Sequence, residues 1–362
     1  MNERLADIEE LLRGGVGTVF PAASLSFGRA AVPTTLAVGD ASESTWFDIA
    51  SLTKALSTVV LTMHLCESRR LSIDEELWPG VCVAHLLSHS AGFPACFPPL
   101  WADQQGLLVS PSEQTRKAVV HNVQRTPREP AGIRSVYSDL GFIALGDLLE
   151  QRGESRLDDQ LARLLAPLDL QLGFAPLDRP SPFVPSGVAK TRRESPQREL
   201  LCGAVHDDTA RAMLGVAGHA GLFATSDSVY RLGQALLACF HDDGSEEARA
   251  LGLSSQTVKR FFAWPALPNL GGSWGLGFDH PDPLRPGEPS TSSAGGRWSR
   301  QGVGHLGFTG CSIWMEPDSR LVAVLLSNRV CVETKTEAEQ SKAALRALRP
   351  ALHDAIVACA RP

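Results

Sequence analysis

The stretch Phe47–Leu56, FDIASLTKAL, places a serine three positions before a lysine, where a short apolar strand gives way to a helix. Two interpretations of Ser51 are open at this point. Either its hydroxyl caps the helix and Lys54 is a surface residue, or Ser51 is a nucleophile with its base one turn away. Residues three apart share a helix face, so the Lys54 amine can approach the serine oxygen. Burial against the apolar wall that follows would lower the pKa of Lys54 and make it a base.

Length and charge limit the classes of function. The chain has 362 residues, enough for one large domain or two interleaved ones, and a net charge of −6 without a long basic run. This composition predicts no nucleic-acid partner. No apolar stretch approaches the roughly 18 residues of a transmembrane segment. The N-terminal sequence lacks the apolar core of a secretory signal, so a cytoplasmic location is predicted, or a periplasmic one if a signal was removed.

The cysteines do not form a recognisable framework. None belongs to a CxxC pair, and most have apolar neighbours. We therefore predict buried free thiols in a reducing compartment rather than disulfides. The eight positions are 66, 82, 96, 202, 239, 311, 331 and 359.

Strand patterns occur near both ends of the chain. AASLSFGR and TTLAVG predict an N-terminal hairpin, and SWGLGF, VGHLGFTGCSIWMEP and RLVAVLLSNRV predict strands near the C-terminus. Helical patterns fill the middle and both extremities: the first 15 residues, 51–73, a short piece after Val83, 112–124, 137–153, a helix with Ser226 as its N-cap, and 336–360. Either Ser138 or Asp139 can cap the helix over 137–153.

This order predicts an α/β (α+β) fold. An antiparallel sheet flanked by helices is built from both termini, and a helical domain is inserted into it. The predicted boundaries are 1–82 plus 266–362 for the sheet domain and 83–265 for the helical domain.

Two further segments carry groups that acyl transfer needs. Tyr137, one of two tyrosines, begins a helix in RSVYSDLG, and a phenol beside an ammonium can relay a proton. The segment 303–310, VGHLGFTG, resembles a strand edge where glycines admit a ligand, and it can give an N–H to an oxyanion together with Ser51. His305 would stand beside it as a polar or cationic group. Taken singly, Tyr137 can equally be a buried aromatic with its hydroxyl satisfied, and simple packing or solvent contact is the preferred explanation of His305.

Taken in order, SLTK, YSD and HLG resemble the three motifs of the serine β-lactamase and penicillin-binding-protein superfamily, in its class C-like esterase and peptidase branch. The resemblance covers about residues 20–332 and implies the β-lactamase-like fold. The similar flanking sequences are FDIASLTK, VAHLLSHSAGFP, YSDLGFIALG, GVAGHAGLFATSDSV and GHLGFTGCSIWMEPDSRLVAVLLSNR.

The resemblance implies a role for each motif residue. Ser51 is the acylated nucleophile, Lys54 is its base, and Tyr137 protonates the leaving group and then activates water. The backbone N–H groups of Ser51 and Phe308 bind the oxyanion, with Gly307 supporting the same strand edge. No organic cofactor and no metal are implied, and the partner is a small-molecule or peptide-like substrate.

Two motifs depart from the family pattern. Asp139 replaces the usual asparagine and can hold Lys54 charged, which would shift the role of base toward Tyr137. His305 and Leu306 replace a lysine and a threonine that help to bind a substrate carboxylate. The resemblance therefore implies a serine hydrolase for esters, lactones or peptide-like amides, with weak or no β-lactamase activity. The alternative is a catalytically impaired binding protein with the same fold. The oligomeric state cannot be read from the sequence.

Three other patterns compete with this interpretation. GGSWG at 271–275 matches the nucleophile elbow of α/β-hydrolases, but LGFDHPDP cannot continue as a helix, so Ser273 is not favoured. The serines flanking His89 point elsewhere if the segment is helical, and His89 is predicted to tie a loop to the cleft floor. Four potential metal ligands also lie close in sequence, without a spacing that enforces a site: His206, Asp207, Asp208 and His219.

Overall fold

The computed structural model describes residues 2–96, 111–193, 198–267, 270–281 and 292–360. The α-helices are α1 Asn2–Gly14, α2 Val60–Glu67, α3 Val83–Leu87, α4 Glu113–Arg125, α5 Asp139–Gly153, α6 Leu157–Leu165, α7 Asp208–Ala212, α8 Ser226–His241, α9 Glu246–Leu251, α10 Ser255–Phe261 and α11 Lys335–Ala360. The strands are β1 Ala22–Gly28, β2 Thr34–Gly39, β3 Phe47–Asp48, β4 Glu76–Trp78, β5 Val81–Cys82, β6 Leu172–Phe174, β7 Thr191–Arg192, β8 Leu200–Leu201, β9 Leu222–Ala224, β10 Val303–Leu306, β11 Ser312–Glu316 and β12 Leu321–Ser327. A π-helix covers Lys54–Val59, and 3₁₀ turns cover Ala166–Leu168 and Pro185–Gly187.

The main sheet joins the two ends of the chain. Its five strands run in the order β10-β11-β12-β1-β2, and every neighbouring pair is antiparallel. The central pairing sets Ala23 opposite Ser327, so an early strand lies beside the last one. The predicted fold class, an antiparallel sheet built from both termini and flanked by helices, is confirmed.

Alternation along the strands divides the core in two. On β11, Ile313 and Met315 belong to one cluster and Trp314 to the other, because successive side chains point to opposite faces. The first cluster contains the apolar side of α8 and continues among the middle helices. The second is closed by α1 and α11, which cover the outer face of the sheet. The sheet is therefore sandwiched between helices from different parts of the chain.

A second, small sheet holds the middle of the chain against the main one. Its order is β3-β9-β6, and β3 is the strand that leads into Ser51. The π-helix and α2 continue from it and pack against α5. Ser51 thus lies where sheet and helices meet, while the domain boundaries given above stay a prediction.

Several local predictions are wrong or hold only in part. SWGLGF forms no strand; only an isolated bridge joins Trp274 to Asp279. The N-cap of α8 is Thr225, whose side chain accepts the Ser228 N–H, because the Ser226 hydroxyl instead binds two serines of β1. Ser138 is the N-cap residue of α5, but its hydroxyl donates to the Pro94 carbonyl rather than accepting a helix N–H. The helix expected over 51–73 ends at Glu67 and begins with a π-helical turn.

The cysteine prediction holds in part. All eight thiols are free, and Cys239 and Cys311 are buried. Cys96 and Cys202 are exposed, so burial was wrong for these two. Within the described ranges, no helix combines the length and the apolarity needed to cross a membrane.

We expect the protein to lose stability when the pH falls from 7 to 5. Burial lowers the pKa of several histidines, among them His206 and His280, to about 4, and His305 and His353, to about 3. In the unfolded chain these histidines bind protons near pH 6.5, whereas in the folded protein they stay neutral. Stability that is present above pH 6.5 is therefore lost below it, by roughly 1–2 kcal/mol per histidine at pH 5. Burial raises the pKa of Asp48 to about 6, which acts in the opposite direction. It offsets a loss of stability about equal to that caused by one histidine.

Thermal unfolding at pH 7.5, 6 and 5 measures this loss. His353→Asn is the comparison, because its amide can keep the contact of the ring with the Ser293 carbonyl but does not titrate. The variant should show a shallower fall of Tm with acidification. An equal slope, or a wild-type Tm that rises toward pH 5, would contradict the argument.

Candidate active site

A sharp, tethered turn presents Ser51. After β3 the backbone of Ala50 adopts a left-handed conformation with φ 47°, which is uncommon for a residue with a side chain. The buried carboxylate of Asp48 holds this turn by accepting the Ala50 N–H at 2.8 Å and the His206 N–H at 2.7 Å. The turn that presents Ser51 is therefore held by two hydrogen bonds from backbone N–H groups to Asp48.

Lys54 is the most constrained cation of the site. Its side chain is fully buried, and Nζ donates to Ser51 Oγ at 3.0 Å, to Asp139 Oδ1 at 2.7 Å and to the His219 carbonyl at 3.1 Å. Burial disfavours the ammonium form, but the charge of Asp139 and the contact with Tyr137 outweigh it and raise the pKa of Lys54 to about 12. Lys54 is therefore charged at neutral pH, contrary to the lowered pKa expected from the apolar wall and in agreement with the expected effect of Asp139.

The π-helix begins at Lys54 and all six of its residues are buried. Such turns are rare and occur mostly at functional sites. The Thr58 hydroxyl donates to the Gly218 carbonyl at 2.6 Å, and Lys54 donates to the carbonyl of the next residue, His219. Both bonds tie the π-helix to the same segment. No sequence pattern that we recognise predicts this wider turn.

Tyr137 lies against the lysine just before α5. The Lys54 Nζ is 4.8 Å from the centre of the phenol ring, and the hydroxyl interacts with the side chains of both Lys54 and Ser51. Burial raises the pKa of Tyr137, and the positive charge of Lys54 opposes this rise. The three groups that the motifs select are thus brought together in one place.

His89 holds the tyrosine segment from two sides. Its backbone carbonyl accepts the Val136 N–H at 2.8 Å, and its Nδ1 accepts the Ser138 N–H at 3.0 Å. The two bonded residues flank Tyr137, and the His89 and Tyr137 rings are 4.6 Å apart. His89 therefore ties a loop to the cleft floor, as the sequence predicted.

Trp274 completes the wall around the tyrosine, and the sequence analysis missed it. Its ring centre is 5.2 Å from that of Tyr137 and 5.3 Å from that of His305. The glycine-rich segment GGSWG could have indicated this role of Trp274, since glycines beside a tryptophan allow the backbone to bend so that the ring projects from it. The segment supplies an aromatic wall and not a nucleophile elbow.

His305 is buried on β10 and is not a cation. Burial, and then the charge of Lys54, lower its pKa to about 3. Nδ1 lies 2.8 Å from the Leu306 carbonyl, which assigns the proton of the neutral ring to Nδ1. Nε2 has no hydrogen-bond partner within the described part of the chain. Of the polar and cationic roles expected for His305, only the polar one fits at neutral pH.

The end of β10 abuts the serine turn. A Cβ on Gly307 would lie 2.6 Å from the Ile49 carbonyl oxygen, so only glycine allows this approach. The Gly307 N–H donates to Cys311, and the next residue, Phe308, lines the same cleft as Ser51. Throughout the described ranges, neither the Ser51 N–H nor the Phe308 N–H has an acceptor in the protein. Both N–H groups are therefore free to donate to a bound group.

The proposed metal ligands have other partners. His206 stacks on Phe308 with ring centres 5.7 Å apart, and Asp208 pairs with Arg211. His219 Nε2 lies 2.9 Å from Asp207 Oδ1, and this contact holds the pKa of Asp207 well below its usual range although burial opposes it. Over the residues that the structure describes, no group of three or more such side chains is placed to hold a metal ion.

A cleft of about 720 Å³ opens over these groups. Ser51, Tyr137, Trp274, His305 and Phe308 all line it. A pocket of this size can enclose a small organic ligand. The fold is that of the β-lactamase and penicillin-binding-protein type.

The chain matches the Beta-lactamase family over residues 11–347 and belongs to it. An Escherichia coli K12 protein named "Putative D-alanyl-D-alanine carboxypeptidase" is 28% identical over 80% of this chain and 70% of its own. An N-acetylmuramyl-L-alanine amidase of Bacillus subtilis strain 168 is 28% identical over 79% and 68%. A solved variant of simvastatin synthase from Aspergillus terreus shares the fold, with a TM-score of 0.70, 20% identity, and coverage of 98% of this chain and 99% of the other.

Replacing Gly307 by alanine should destabilise the protein. The added Cβ would meet the Ile49 carbonyl at 2.6 Å and the Cys311 Cβ at 3.0 Å, so β10 must move away from the serine turn. Overpacking of this kind costs about 1–3 kcal/mol. Chemical denaturation measures the loss, and Gly271→Ala is the control, because no atom of the described residues lies within 4 Å of its added Cβ. Equal stabilities of the two variants would refute the close approach.

Proposed function

We propose that this protein is a serine hydrolase that forms a covalent acyl-enzyme on an ester, a lactone or a peptide-like amide. The single observation that carries the proposal is the fully buried Lys54 ammonium, 3.0 Å from Ser51 Oγ and in contact with Tyr137. A serine hydroxyl is a weak nucleophile and needs a neighbouring group to take its proton. The names of the two bacterial relatives describe cleavage of amide bonds, which the same chemistry performs.

In the proposed reaction Ser51 Oγ bonds to the acyl carbon and loses its proton to the Tyr137–Lys54 pair. The negative charge that develops on the acyl oxygen is stabilised by the free N–H groups of Ser51 and Phe308. The bond to the leaving group then breaks as the pair returns the proton to it. Water repeats the sequence on the acyl-serine and releases the acid.

Asp139 shifts the role of base toward Tyr137. The 2.7 Å ion pair keeps the Lys54 proton in place, and the ammonium stabilises a phenolate beside it. The basic form of the pair is thus a tyrosinate next to a charged lysine, reached by loss of one proton. Because burial raises the pKa of Tyr137, the rate should increase with pH above neutrality.

The cleft favours substrates other than β-lactam antibiotics. His305 is neutral and Leu306 has no hydroxyl, so the third motif has neither the charge nor the donor for a carboxylate at that position. We therefore propose weak or no β-lactamase activity. The alternative function, a binding protein impaired in turnover, is favoured by one observation, the strong hold of Asp139 on the Lys54 proton.

Labelling with a fluorophosphonate separates the two functions. The enzyme should be modified once, at Ser51, and Ser51→Ala should show no modification by mass spectrometry of the intact protein and its peptides. Ser273→Ala is the matched control and should label like the wild type, because Ser273 belongs to the competing GGSWG pattern. A native protein that stays unlabelled and does not cleave p-nitrophenyl esters would favour the binding protein.

The pH profile tests the part assigned to Asp139. In Asp139→Asn the charge that stabilises the ammonium is lost, so the rise of kcat/KM should move to lower pH by on the order of one unit. Hydrolysis of p-nitrophenyl acetate between pH 6 and 10, corrected for the Ser51→Ala rate, measures the shift. Asp147→Asn, on the same helix but outside the cleft lining, should keep the wild-type profile. Coincident profiles for wild type and Asp139→Asn would exclude this role.

A further inference from the structure

Asp48 is a buried acid whose contacts extend beyond the serine turn. Its carboxylate accepts the N–H groups of Ala50 and His206, as described above. Its backbone carbonyl accepts the hydroxyl of Thr309 at 2.7 Å, from a residue 261 positions later in the chain. Both Asp48 and Thr309 are buried, so water competes little for these bonds. One residue thus joins the strand that leads to Ser51 to the turn that follows β10.

The N–H groups of Ser51 and Phe308 each lie one residue from a contact of this acid. Ala50 precedes Ser51, and Thr309 follows Phe308. The Phe308 ring also stacks on the His206 ring, with 18° between their planes, and the N–H of His206 donates to the same carboxylate. The positions of both N–H groups therefore depend on one acid.

The carboxylate must be ionised to make both of its hydrogen bonds. Oδ1 accepts the N–H of Ala50, and Oδ2 accepts the N–H of His206. A proton on either oxygen would turn an acceptor into a donor that faces an N–H, so one bond would be lost. The left-handed backbone conformation of Ala50 is unfavourable without such support. Protonation would thus loosen the turn before Ser51 or the contact with His206.

We infer that Asp48 is a positioning residue for both oxyanion donors, and that protonation of its carboxylate switches the site to a weaker form. The inference rests on the proposed function, which assigns the acyl oxygen to the N–H groups of Ser51 and Phe308. Asp48 lies outside the described lining of the cleft and acts through Ala50 and Thr309. The switch is a dependence on pH that is separate from the ionisation of the catalytic base.

The switch belongs to the acidic range. Burial raises the pKa of Asp48 to about 6, and the hydrogen bonds from His206 and Ala50 oppose the rise. Asp48 is therefore mostly charged at pH 7 and mostly neutral at pH 5. Four other titratable residues face it: His206, Asp207, Arg211 and Cys311.

Between pH 7 and 5 these four residues keep their charge states. Burial lowers the pKa of His206 to about 4 and that of Arg211 to about 10, and it raises the pKa of Cys311 to about 11. Asp207 stays ionised through the contact described above. We therefore assign a change at the two donors in this pH range to Asp48.

Replacement of the acyl oxygen by sulfur tests the two donors. 4-Nitrophenyl acetate is compared with its thiono ester, because sulfur is a larger and weaker acceptor and fits poorly between donors placed for oxygen. Both substrates need the same base, so the titration of the Tyr137–Lys54 pair cancels in their ratio of kcat/KM. We expect the oxygen-to-sulfur ratio of the wild type to fall roughly tenfold between pH 7.5 and 5, less than the loss of a whole donor would cause. The midpoint should lie near pH 6.

Asp48→Asn imitates the protonated acid, because an amide offers one acceptor and one donor group. Its oxygen-to-sulfur ratio should be low and independent of pH. Because the ratio is taken within one variant, a loss of folded protein cancels. Asp74→Asn, which is exposed and outside the described cleft lining, should keep the wild-type profile. A wild-type ratio that stays constant from pH 7.5 to 5, or equal profiles for the wild type and Asp48→Asn, would overturn the inference.

A matched pair at Thr309 tests the other contact of the acid. Thr309→Val keeps the shape of the side chain but loses the hydroxyl, so the ratio at pH 7.5 should fall about threefold or more. Thr309→Ser keeps the hydroxyl and should keep the ratio. Equal ratios for these two variants would contradict the positioning role. If Asp48→Asn does not fold, this pair and the wild-type profile decide.

Nuclear magnetic resonance of Ser51→Ala separates this result from a failure of the proposed function. After labelling with ¹⁵N-phenylalanine, the Phe308 amide is assigned by its absence in Phe308→Leu. Its chemical shift should titrate with a midpoint near pH 6, and this titration should be lost in the double variant Ser51→Ala, Asp48→Asn. This result supports the switch even if the wild type turns over no ester. A Phe308 shift that stays constant, or that titrates equally in the double variant, refutes the switch even if Ser51 is labelled by the fluorophosphonate.

Discussion

The buried ammonium of Lys54 is the interaction on which the site depends. An isolated charge in a protein interior is prohibitively costly, and it is tolerated here because each of its three N–H donors has an acceptor. Those acceptors are a hydroxyl at the start of the helix, a carboxylate on α5 and a carbonyl on the segment before β9. One cation therefore draws together three parts of the chain, which lie three, 85 and 165 residues away from it in sequence. The cleft has its shape because these parts converge.

Electrostatic conditions differ sharply along the cavity. Around Lys54 the carboxylate of Asp139 compensates the charge, and the neighbouring rings of His89 and His305 are kept neutral by burial and by that same lysine. Along α11, by contrast, three cationic side chains line the cleft: Lys342, Arg346 and Arg349.

The sequence predicts the site better than it predicts the details of the fold. Ser51, Lys54 and Tyr137 were selected because SLTK and YSD follow one another in the order of the family's motifs. The structure brings their side chains into contact. Local patterns also placed the terminal helices and the strands of the main sheet. The π-helix and Trp274 were missed because they arise from packing between distant segments, which leaves no local periodicity.

Misplaced caps and shifted charges have the same origin. Ser226 has the composition of an N-cap, but β1 offers its hydroxyl two buried partners and Thr225 takes over the cap. Likewise, the apolar residues after Lys54 suggested a lowered pKa for its amine. The charge of Asp139, which lies on α5, reverses this effect. Interactions between residues far apart in sequence decide both cases, and one-dimensional patterns do not contain them.

The pairing of β1 with β12 has a consequence for biosynthesis. Ser51 is synthesised well before Gly307 and Phe308, which follow more than 250 residues later at the end of β10. Contacts of such long range form slowly, and one edge of β1 stays without its partner until β12 has been synthesised, although β2 can already pair with the other edge. The nascent chain thus carries Ser51 without the strand edge that lies beside it in the cleft, and the cleft is complete only when β10, β11 and β12 have joined the sheet.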